Sequence, residues 1–134
     1  MKNIITCLIL SVNIFITIAS ACFLTNEYEV HVVNKLPSPK LKLHCASKET
    51  DFGISDYGPN YDFHWKFCEN VVSTTLYFCH LWWRNKQVSF NAFESRKTVC
   101  RNNCYYEARS DGIYFSGDGP KSNLMKKVYD WQNR

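Results

Sequence analysis

Residues 74–93 decide the fold of this chain, and they read TTLYFCHLWWRNKQVSFNAF. The first part, residues 74–83, is apolar on both faces of an extended chain, which predicts a central strand covered on both sides. The second part, residues 87–93, predicts the partner strand of a hairpin whose turn lies around residues 84–86. The stretch therefore indicates a β-rich chain.

Segments on the amino-terminal side of this hairpin predict further short strands. Residues 28–33 are rich in β-formers, and a turn at residues 34–37 ends them. Residues 40–45 and 62–67 alternate in polarity, which predicts strands with one face buried. The inward side chains are expected to be Leu41, Leu43, Cys45, Phe63, Trp65 and Phe67. Residues 46–60 between them are rich in Ser, Asp and Gly, which predicts a long loop.

The carboxyl-terminal part predicts a second hairpin. Asp111-Gly112 stands between two strand-like runs, residues 105–109 and 113–116, and this dipeptide favours a tight hairpin turn. Residues 124–131 are compatible with a last strand or a short helix, and a strand is preferred. Seven to eight strands with no strong helical segment predict a small all-β fold, an antiparallel β-sandwich.

Length and composition exclude several classes of protein. The chain has 134 residues, enough for one domain but not for a large multidomain enzyme. Charged residues make up 21% and aromatic residues 16%, which argues against disorder. The net charge is +4, and the basic residues are dispersed, so neither nucleic-acid binding nor strong membrane attraction is indicated.

The amino terminus predicts export. Lys2 precedes a mostly apolar run, residues 4–19, and Ala19-Ser20-Ala21 resembles a cleavage site. This pattern is typical of a signal peptide, and the run is short for a bilayer span. We therefore expect a signal peptide at residues 1–21 and one secreted domain at residues 22–134, located in the extracellular space and not stably inserted in a membrane.

Cleavage one residue after Ala21 would also remove Cys22 and leave an odd thiol, and the sequence does not decide between the two sites. With cleavage directly after Ala21, removal of Cys7 leaves six of the seven cysteines, and an oxidising compartment favours disulfide bonds between them. They are Cys22, Cys45, Cys68, Cys79, Cys100 and Cys104. The pairs His44-Cys45 and Cys79-His80 suggest a nucleophilic dyad, but neighbours in a strand point to opposite faces. A disulfide cysteine beside a surface histidine is the favoured interpretation.

The histidines and carboxylates give no clear catalytic or metal site. His31, His44, His64 and His80 are scattered one to a predicted strand, and the carboxylates show no spacing typical of a glycosidase. No Gly-rich phosphate loop or metalloprotease motif is present. We therefore expect no catalytic residues, no metal and no cofactor.

Five motifs, taken in order, carry a resemblance to a known family. The sequence resembles the plant self-incompatibility protein S1 family, also called S-protein homologues. The motifs are VHVVNKLP at 30–37, LKLHCASK at 41–48, FHWKF at 63–67, TLYFCHLWW at 75–83 and CYYEARSDGIYF at 104–115.

The resemblance implies a secreted β-sandwich without catalytic activity that acts as an extracellular ligand for a cell-surface receptor, as in recognition of self pollen. It also implies a disulfide framework of four cysteines, with Cys45 expected to pair with Cys104 and Cys79 with Cys100. Cys22 and Cys68 are additional to that framework. They either pair with each other or leave a free thiol at Cys68.

Loops are the expected recognition surface, because a sandwich holds its loop tips rigidly. The candidate segments are 47–60, 84–87, 94–99 and 117–123. The candidate contact residues in them are Asp56, Arg84, Lys86, Lys97 and Asp118. Two other functions remain open: a secreted defence protein that binds glycans or membranes, and a small secreted hydrolase whose active site forms across strands.

Overall fold

The computed structural model describes residues 22–134, and the signal peptide predicted at residues 1–21 lies outside the described residues. Ten strands and one short 3₁₀ helix (Ser122–Leu124) occupy this part of the chain. The strands are β1 (Glu27–Asn34), β2 (Leu41–Ser47), β3 (Asp51–Tyr57), β4 (Asp62–Cys68), β5 (Leu76–Trp83), β6 (Lys86–Glu94), β7 (Asn103–Arg109), β8 (Gly112–Ser116), β9 (Lys126–Tyr129) and β10 (Gln132–Asn133).

The strands form two five-stranded sheets, which confirms the predicted all-β sandwich. Sheet A has the order β4-β1-β7-β8-β9, and sheet B has the order β10-β6-β5-β2-β3. All neighbouring strands are antiparallel except β1 and β7, which run parallel. The predicted number of seven to eight strands is too low, because β3 and the short β10 were not expected. Among the described residues, no helix is long and apolar enough to cross a membrane.

Alternation of polarity along the strands builds the core. In β2, Leu41, Leu43 and Cys45 are buried as predicted, while Lys42 on the other face is exposed. In β4, Trp65 is buried, and its neighbours on the same face pack against the core. The two inner faces therefore meet in one hydrophobic cluster, as expected for packed sheets.

Strand β5 is central, as predicted, but only one of its faces is covered. Tyr77, Cys79, Leu81 and Trp83 are buried, whereas Phe78 on the opposite face is 39% exposed. The prediction of a strand covered on both sides was wrong because no layer packs on the outer face of sheet B in the described chain. Apolar side chains therefore remain on an outer surface.

Strand β3 lies where the sequence predicted a loop at residues 46–60. It pairs with β2 at the edge of sheet B, and six of its seven residues are exposed. An edge strand pairs through its backbone on one side, so its side chains do not need to alternate in polarity. Gly53 adopts φ +77°, and its N–H donates to Asp51 Oδ1 at 2.8 Å. The composition that indicated a loop therefore reflects exposure at the edge.

Both predicted hairpins are confirmed. Trp83 pairs with Lys86 across the β5–β6 turn, and Arg109 pairs with Gly112 across the β7–β8 turn. Gly112 adopts φ +153°, and a Cβ atom there would lie 2.6 Å from the Tyr129 carbonyl oxygen. The glycine therefore permits the close approach of β9.

The disulfide bonds differ from the predicted framework. The structure pairs Cys45 with Cys79 and Cys100 with Cys104, and Cys22 pairs with Cys68. Cys45 and Cys79 are direct register partners on neighbouring strands, with their Cα atoms 4.1 Å apart. The predicted pairs, Cys45 with Cys104 and Cys79 with Cys100, would each have connected sheet B to β7 or to the segment preceding it, on the other layer. Cross-strand neighbours are closer than residues on opposite layers.

The lengths of the closed loops change the expected stabilisation. The bonded cysteines are separated by 46, 34 and 4 positions along the chain. On the chain-entropy model, the two long loops stabilise the fold by about 4 kcal/mol each and the short loop by about 2 kcal/mol. The Cys100–Cys104 bond is therefore expected to contribute least.

Candidate recognition surface

The five predicted contact residues lie at both ends of the sandwich. Arg84 and Lys86 lie at the β5–β6 turn, and Asp56 lies on β3 towards the same end. Lys97 follows β6 and Asp118 follows β8, which places both at the opposite end. The structure therefore does not bring these five residues into one surface.

The Arg84 side chain at the β5–β6 turn already has partners within the chain. The Arg84 guanidinium lies 4.5 Å from the centre of the Trp83 ring and donates to the Ser38 carbonyl at 3.2 Å. Arg134 donates to the Arg84 carbonyl at 2.7 Å, so the carboxyl terminus is attached to this turn. These contacts stabilise the turn and limit the freedom of Arg84 to bind a partner.

The charges at the opposite end form exposed ion pairs. Lys97 Nζ lies 3.2 Å from Glu94, and Arg101 lies 3.8 Å from Asp118. Exposed pairs of this kind typically contribute less than 1 kcal/mol, so these side chains can exchange partners at little cost. Lys97 also borders an opening in the surface.

That opening is a groove of about 670 Å³ between the edge of β6 in sheet B and β9 in sheet A. We call it the β6–β9 groove. Its floor consists of three aromatic rings of the core and its margin, Phe90, Tyr106 and Phe115, which pack in sequence at tilted angles with centroids about 5 Å apart. Its other lining residues are Phe78, Ser89, Asn91, Glu94, Lys97, Thr98, Val99, Val128 and Tyr129. An apolar floor with a polar rim is typical of binding sites.

The groove exists because β10 is short. Strand β10 pairs with β6 only at Lys86 and Gln87, and the described chain places no strand beside the remainder of that edge. The backbone of residues 89–93 therefore has hydrogen-bonding groups directed away from β5. A partner in extended conformation could pair with such an edge.

Burial affects the tyrosine on the groove floor. Tyr106 is 4% exposed, and its hydroxyl donates to the Ala92 carbonyl at 3.0 Å. Burial raises the pKa of Tyr106 above its ordinary value, because the phenolate would lose its hydration. Tyr106 therefore stays neutral at physiological pH. Its hydrogen bond to Ala92 joins β7 of sheet A to β6 of sheet B.

Sequence reasoning found only part of this groove. Segment 94–99 was a predicted loop, and both Lys97 and the 84% exposed Val99 line the groove. Val128 and Tyr129 were missed, because the tail was compatible with either a strand or a helix. Strand β9 shows no alternation of polar and apolar residues, and all four of its residues are exposed. The sequence contains no pattern that indicates the open edge of β6.

Each histidine lies on its own strand, as the sequence predicted, but strand register brings the four together in two pairs. His31 pairs in register with His64 on the outer face of sheet A, and His44 pairs with His80 on sheet B. His44 Nε2 lies 2.7 Å from Asp51 Oδ1, and His80 Nε2 lies 3.0 Å from Gln87 Oε1. Register brings together residues that are 33 to 36 positions apart in the chain.

The His–Cys neighbours form no nucleophilic dyad. Cys45 and Cys79 are bonded to each other, so neither sulfur is a free thiol. This confirms the interpretation of a disulfide cysteine beside a surface histidine. Within residues 22–134, the histidine side chains hydrogen-bond to carboxylates, a backbone carbonyl and an amide, and not to a hydroxyl.

Comparisons with known proteins agree with this architecture. The family model described as plant self-incompatibility protein S1 matches residues 29–131. S-protein homolog 6 of Arabidopsis thaliana is 36% identical over 96 residues, which cover 68% of this chain and 67% of the relative. S-protein homolog 31 of the same plant is 35% identical over 111 residues, which cover 78% of this chain and 83% of the relative.

A solved structure shows the same fold. It is a self-incompatibility protein homologue, described as one of a widespread family of small, highly stable, secreted proteins from plants. The TM-score is 0.63 at 19% identity, and the match covers 81% of this chain and 97% of the solved chain. That description agrees with the secreted localisation predicted from sequence. The chain belongs to the plant self-incompatibility protein S1 family.

Proposed function

We propose that this protein is a secreted, non-enzymatic ligand, and that a cell-surface receptor recognises it through the β6–β9 groove. The observation that carries the proposal is the groove itself, an opening of about 670 Å³ floored by core aromatic rings. Its volume lies within the range of about 300–1,000 Å³ typical of binding sites. Buried aromatic side chains commonly contribute most of the binding energy at interfaces.

The free edge of β6 suggests how a receptor would bind. An extended receptor segment can hydrogen-bond to the backbone of residues 89–93 while its alternate side chains enter the aromatic floor. Polar side chains at the rim, including Asn91, Glu94 and Lys97, would set the register of that segment. The bonded sulfurs of Cys45 and Cys79 support a non-enzymatic role, because neither is available as a nucleophile.

The test compares groove variants with matched variants outside the groove. Val99→Glu and Val128→Glu each place a charge in the groove at an exposed position, so folding should be retained. Val71→Glu and Val72→Glu place the same charge at exposed valines outside the groove. We expect the groove variants to lose at least tenfold in affinity for plant cell-surface membranes, measured as saturable binding of the labelled mature protein, with the controls unchanged.

Three results would overturn the proposal. The first is the absence of saturable, protease-sensitive binding to membranes from any tissue of the source plant. The second is binding that both groove variants leave unchanged. The third is binding that Arg84→Ala removes while the groove variants retain it, which would move the recognition surface to the β5–β6 turn. Thermal unfolding of each variant verifies that a loss of binding is not a loss of fold.

A further inference from the structure

The outer face of sheet A brings two histidines and an aspartate together. His31 on β1 and His64 on β4 are cross-strand register partners, and their ring centroids lie 5.1 Å apart. Asp62 begins β4, and its carboxylate reaches both rings. Side chains of register partners lie on the same face of a sheet, so the strands themselves hold the two rings side by side.

The distances between the three side chains fit a metal ion. Asp62 Oδ1 lies 2.9 Å from His31 Nδ1 and 3.7 Å from His64 Nδ1. One ligand atom from each residue lies within 4.8 Å of the other two, and residues 22–134 contain no other such group of three. Ligands of a tetrahedral Zn²⁺ lie about 3.3 Å apart when each bond is about 2.0–2.1 Å long. His64 Nδ1 donates to the main-chain carbonyl of Asp62 at 3.1 Å, so metal binding requires His64 to give up this hydrogen bond and turn a ring nitrogen with a free lone pair towards the ion.

The second ring nitrogen of His31 is held in the way that metal-bound histidines require. His31 Nε2 lies 2.9 Å from Glu29 Oε1, so an Nε2–H group can donate to that carboxylate. A carboxylate in this position fixes the tautomer and leaves the lone pair of Nδ1 for the metal. Glu29 is on the same strand two residues earlier, so the geometry follows from the period of the strand.

Hydrogen bonding alone does not satisfy a neutral His31. Its Nδ1 lies 2.9 and 3.0 Å from the two oxygens of Asp62, which are also acceptors. A neutral imidazole has one N–H donor, and a donation to Glu29 leaves two lone-pair groups facing each other. Either a second proton on the ring or a cation between Nδ1 and Asp62 resolves this contact. The two possibilities predict different responses to added metal.

We propose that His31, Asp62 and His64 bind a divalent transition-metal ion of the Zn²⁺ class, with Glu29 orienting His31. Two imidazoles and one carboxylate suit Zn²⁺ or Cu²⁺, whereas Ca²⁺ and Mg²⁺ prefer oxygen ligands. The expectation from sequence that no metal site exists depended on scattered histidines, and the register of β1 and β4 removes that premise.

The site has room for further ligands. A cavity of about 320 Å³ adjoins it, lined by His31, Asp62, Asn103, Tyr105, Gly119 and Pro120. The side chain of His64 is 52% exposed and that of Asp62 is 42% exposed, so water reaches the ion directly. Three protein ligands with an open position are typical of zinc sites that keep a bound water or accept an external ligand.

Isothermal titration of the mature, untagged, disulfide-bonded protein with ZnCl₂ tests the proposal. We expect one equivalent to bind, and His64→Asn and Asp62→Asn each to weaken binding at least tenfold. Both changed side chains are substantially exposed, so the fold should persist. His44→Asn is the matched control, because His44 also lies in a cross-strand histidine pair beside an aspartate. MgCl₂ and CaCl₂ should not compete.

Nuclear magnetic resonance of the imidazole nitrogens identifies the ligands. Zn²⁺ should shift the ring nitrogens of His31 and His64 and leave those of His44 and His80 unchanged. Absence of zinc binding at micromolar to submillimolar concentration would overturn the proposal and leave the cluster as a histidine–carboxylate ion pair. Binding that His44→Asn weakens as much as His64→Asn does would also overturn it.

Discussion

The two flanks of the sandwich, where the edges of the sheets meet, differ in how they are closed. At the β3–β4 flank, aromatic rings fill the space. The centre of the Phe63 ring lies 5.8 Å from that of Phe52, 5.5 Å from that of Tyr57 and 5.7 Å from that of Trp65. At the β6–β9 flank, aromatic rings lie on the floor of an open groove. Both flanks are rich in aromatic residues, so composition does not explain the difference.

The length of the edge strand explains it. Strand β3 has seven residues and follows β2 along its length, so Phe52 and Tyr57 reach across to β4. Strand β10 has two residues and covers only one end of β6. The comparison indicates that the first flank contributes stability and that the second is available for binding. Substitutions at the two flanks should therefore differ in their effects.

Trp65→Ala at the closed flank is expected to have the largest effect. Trp65 is 7% exposed and contacts three aromatic rings, so truncation should lower the free energy of unfolding by about 3–5 kcal/mol. Urea denaturation measures this value. Val128→Ala at the open flank should cost less than about 1 kcal/mol, because Val128 is half exposed. Equal losses would contradict the division between the flanks.

Trp65→Phe serves as a second control. The indole Nε1 of Trp65 is buried without a hydrogen-bond partner within the described chain. Replacement by Phe removes this unpaired donor and keeps an aromatic ring, so the loss should be much smaller than for Trp65→Ala. A loss as large as that of Trp65→Ala would show that the shape of the indole, and not the burial of an aromatic ring, closes the flank.

Asn34→Ala should have the next largest effect. Asn34 is 2% exposed, and its amide donates to the carbonyls of Tyr57 and Gly58 in the connection from β3 to β4. Its Oδ1 also accepts from the Leu36 N–H. Removing the amide leaves buried backbone groups unpaired, which should cost about 2–3 kcal/mol.

The matched substitution is Asn91→Ala at the open flank. Asn91 is exposed, and its amide donates to Glu94 at 3.3 Å. Its removal should change the free energy of unfolding by less than about 0.5 kcal/mol. Thermal and urea denaturation of the two variants should therefore separate clearly, and similar losses would indicate that the β3–β4 connection is not held by Asn34.

Tyr106→Phe should have the smallest effect at neutral pH, about 1 kcal/mol, through loss of the hydrogen bond to Ala92. Its effect on pH dependence is more informative. Burial raises the pKa of Tyr106 in the folded protein above the ordinary value of 10.0. Above pH 10 the unfolded chain releases this proton first, so the stability of the wild type should fall as the pH rises.

Urea denaturation between pH 8 and pH 11 tests this expectation. The decline above pH 10 should be shallower in Tyr106→Phe than in the wild type. Burial, reinforced by the charge of Glu107, raises the pKa of Tyr105 to about 12, so the double variant Tyr105→Phe/Tyr106→Phe should be flatter again. Identical pH profiles in all three proteins would contradict a buried neutral tyrosine beneath the groove.

Local patterns along the chain were sufficient to predict the sandwich and most of its strands. The faces of β2 follow from simple alternation, and the turns at Arg84 and Gly112 follow from residue type. Strand β3 was missed because an exposed edge strand needs no hydrophobic period. The disulfide pairs were wrong because they depend on which strands are neighbours, and this is not a local property.

The candidate site depends still more on such long-range pairing. Lys97 was predicted from its loop, but the groove also needs the short β10 and the position of β9. His31 and His64 meet only because β1 and β4 pair in one particular register. A shift of one residue would separate the two rings onto opposite faces.

The parallel pairing of β1 with β7 has a consequence for the order of synthesis. Strand β1 ends at Asn34, whereas its parallel neighbour begins at Asn103, so one edge of β1 remains unpaired until the last quarter of the chain begins to emerge. Strands β2, β3, β5 and β6 are complete by Glu94 and can pair earlier. Sheet A is therefore the part of the nascent chain that is exposed longest to aggregation.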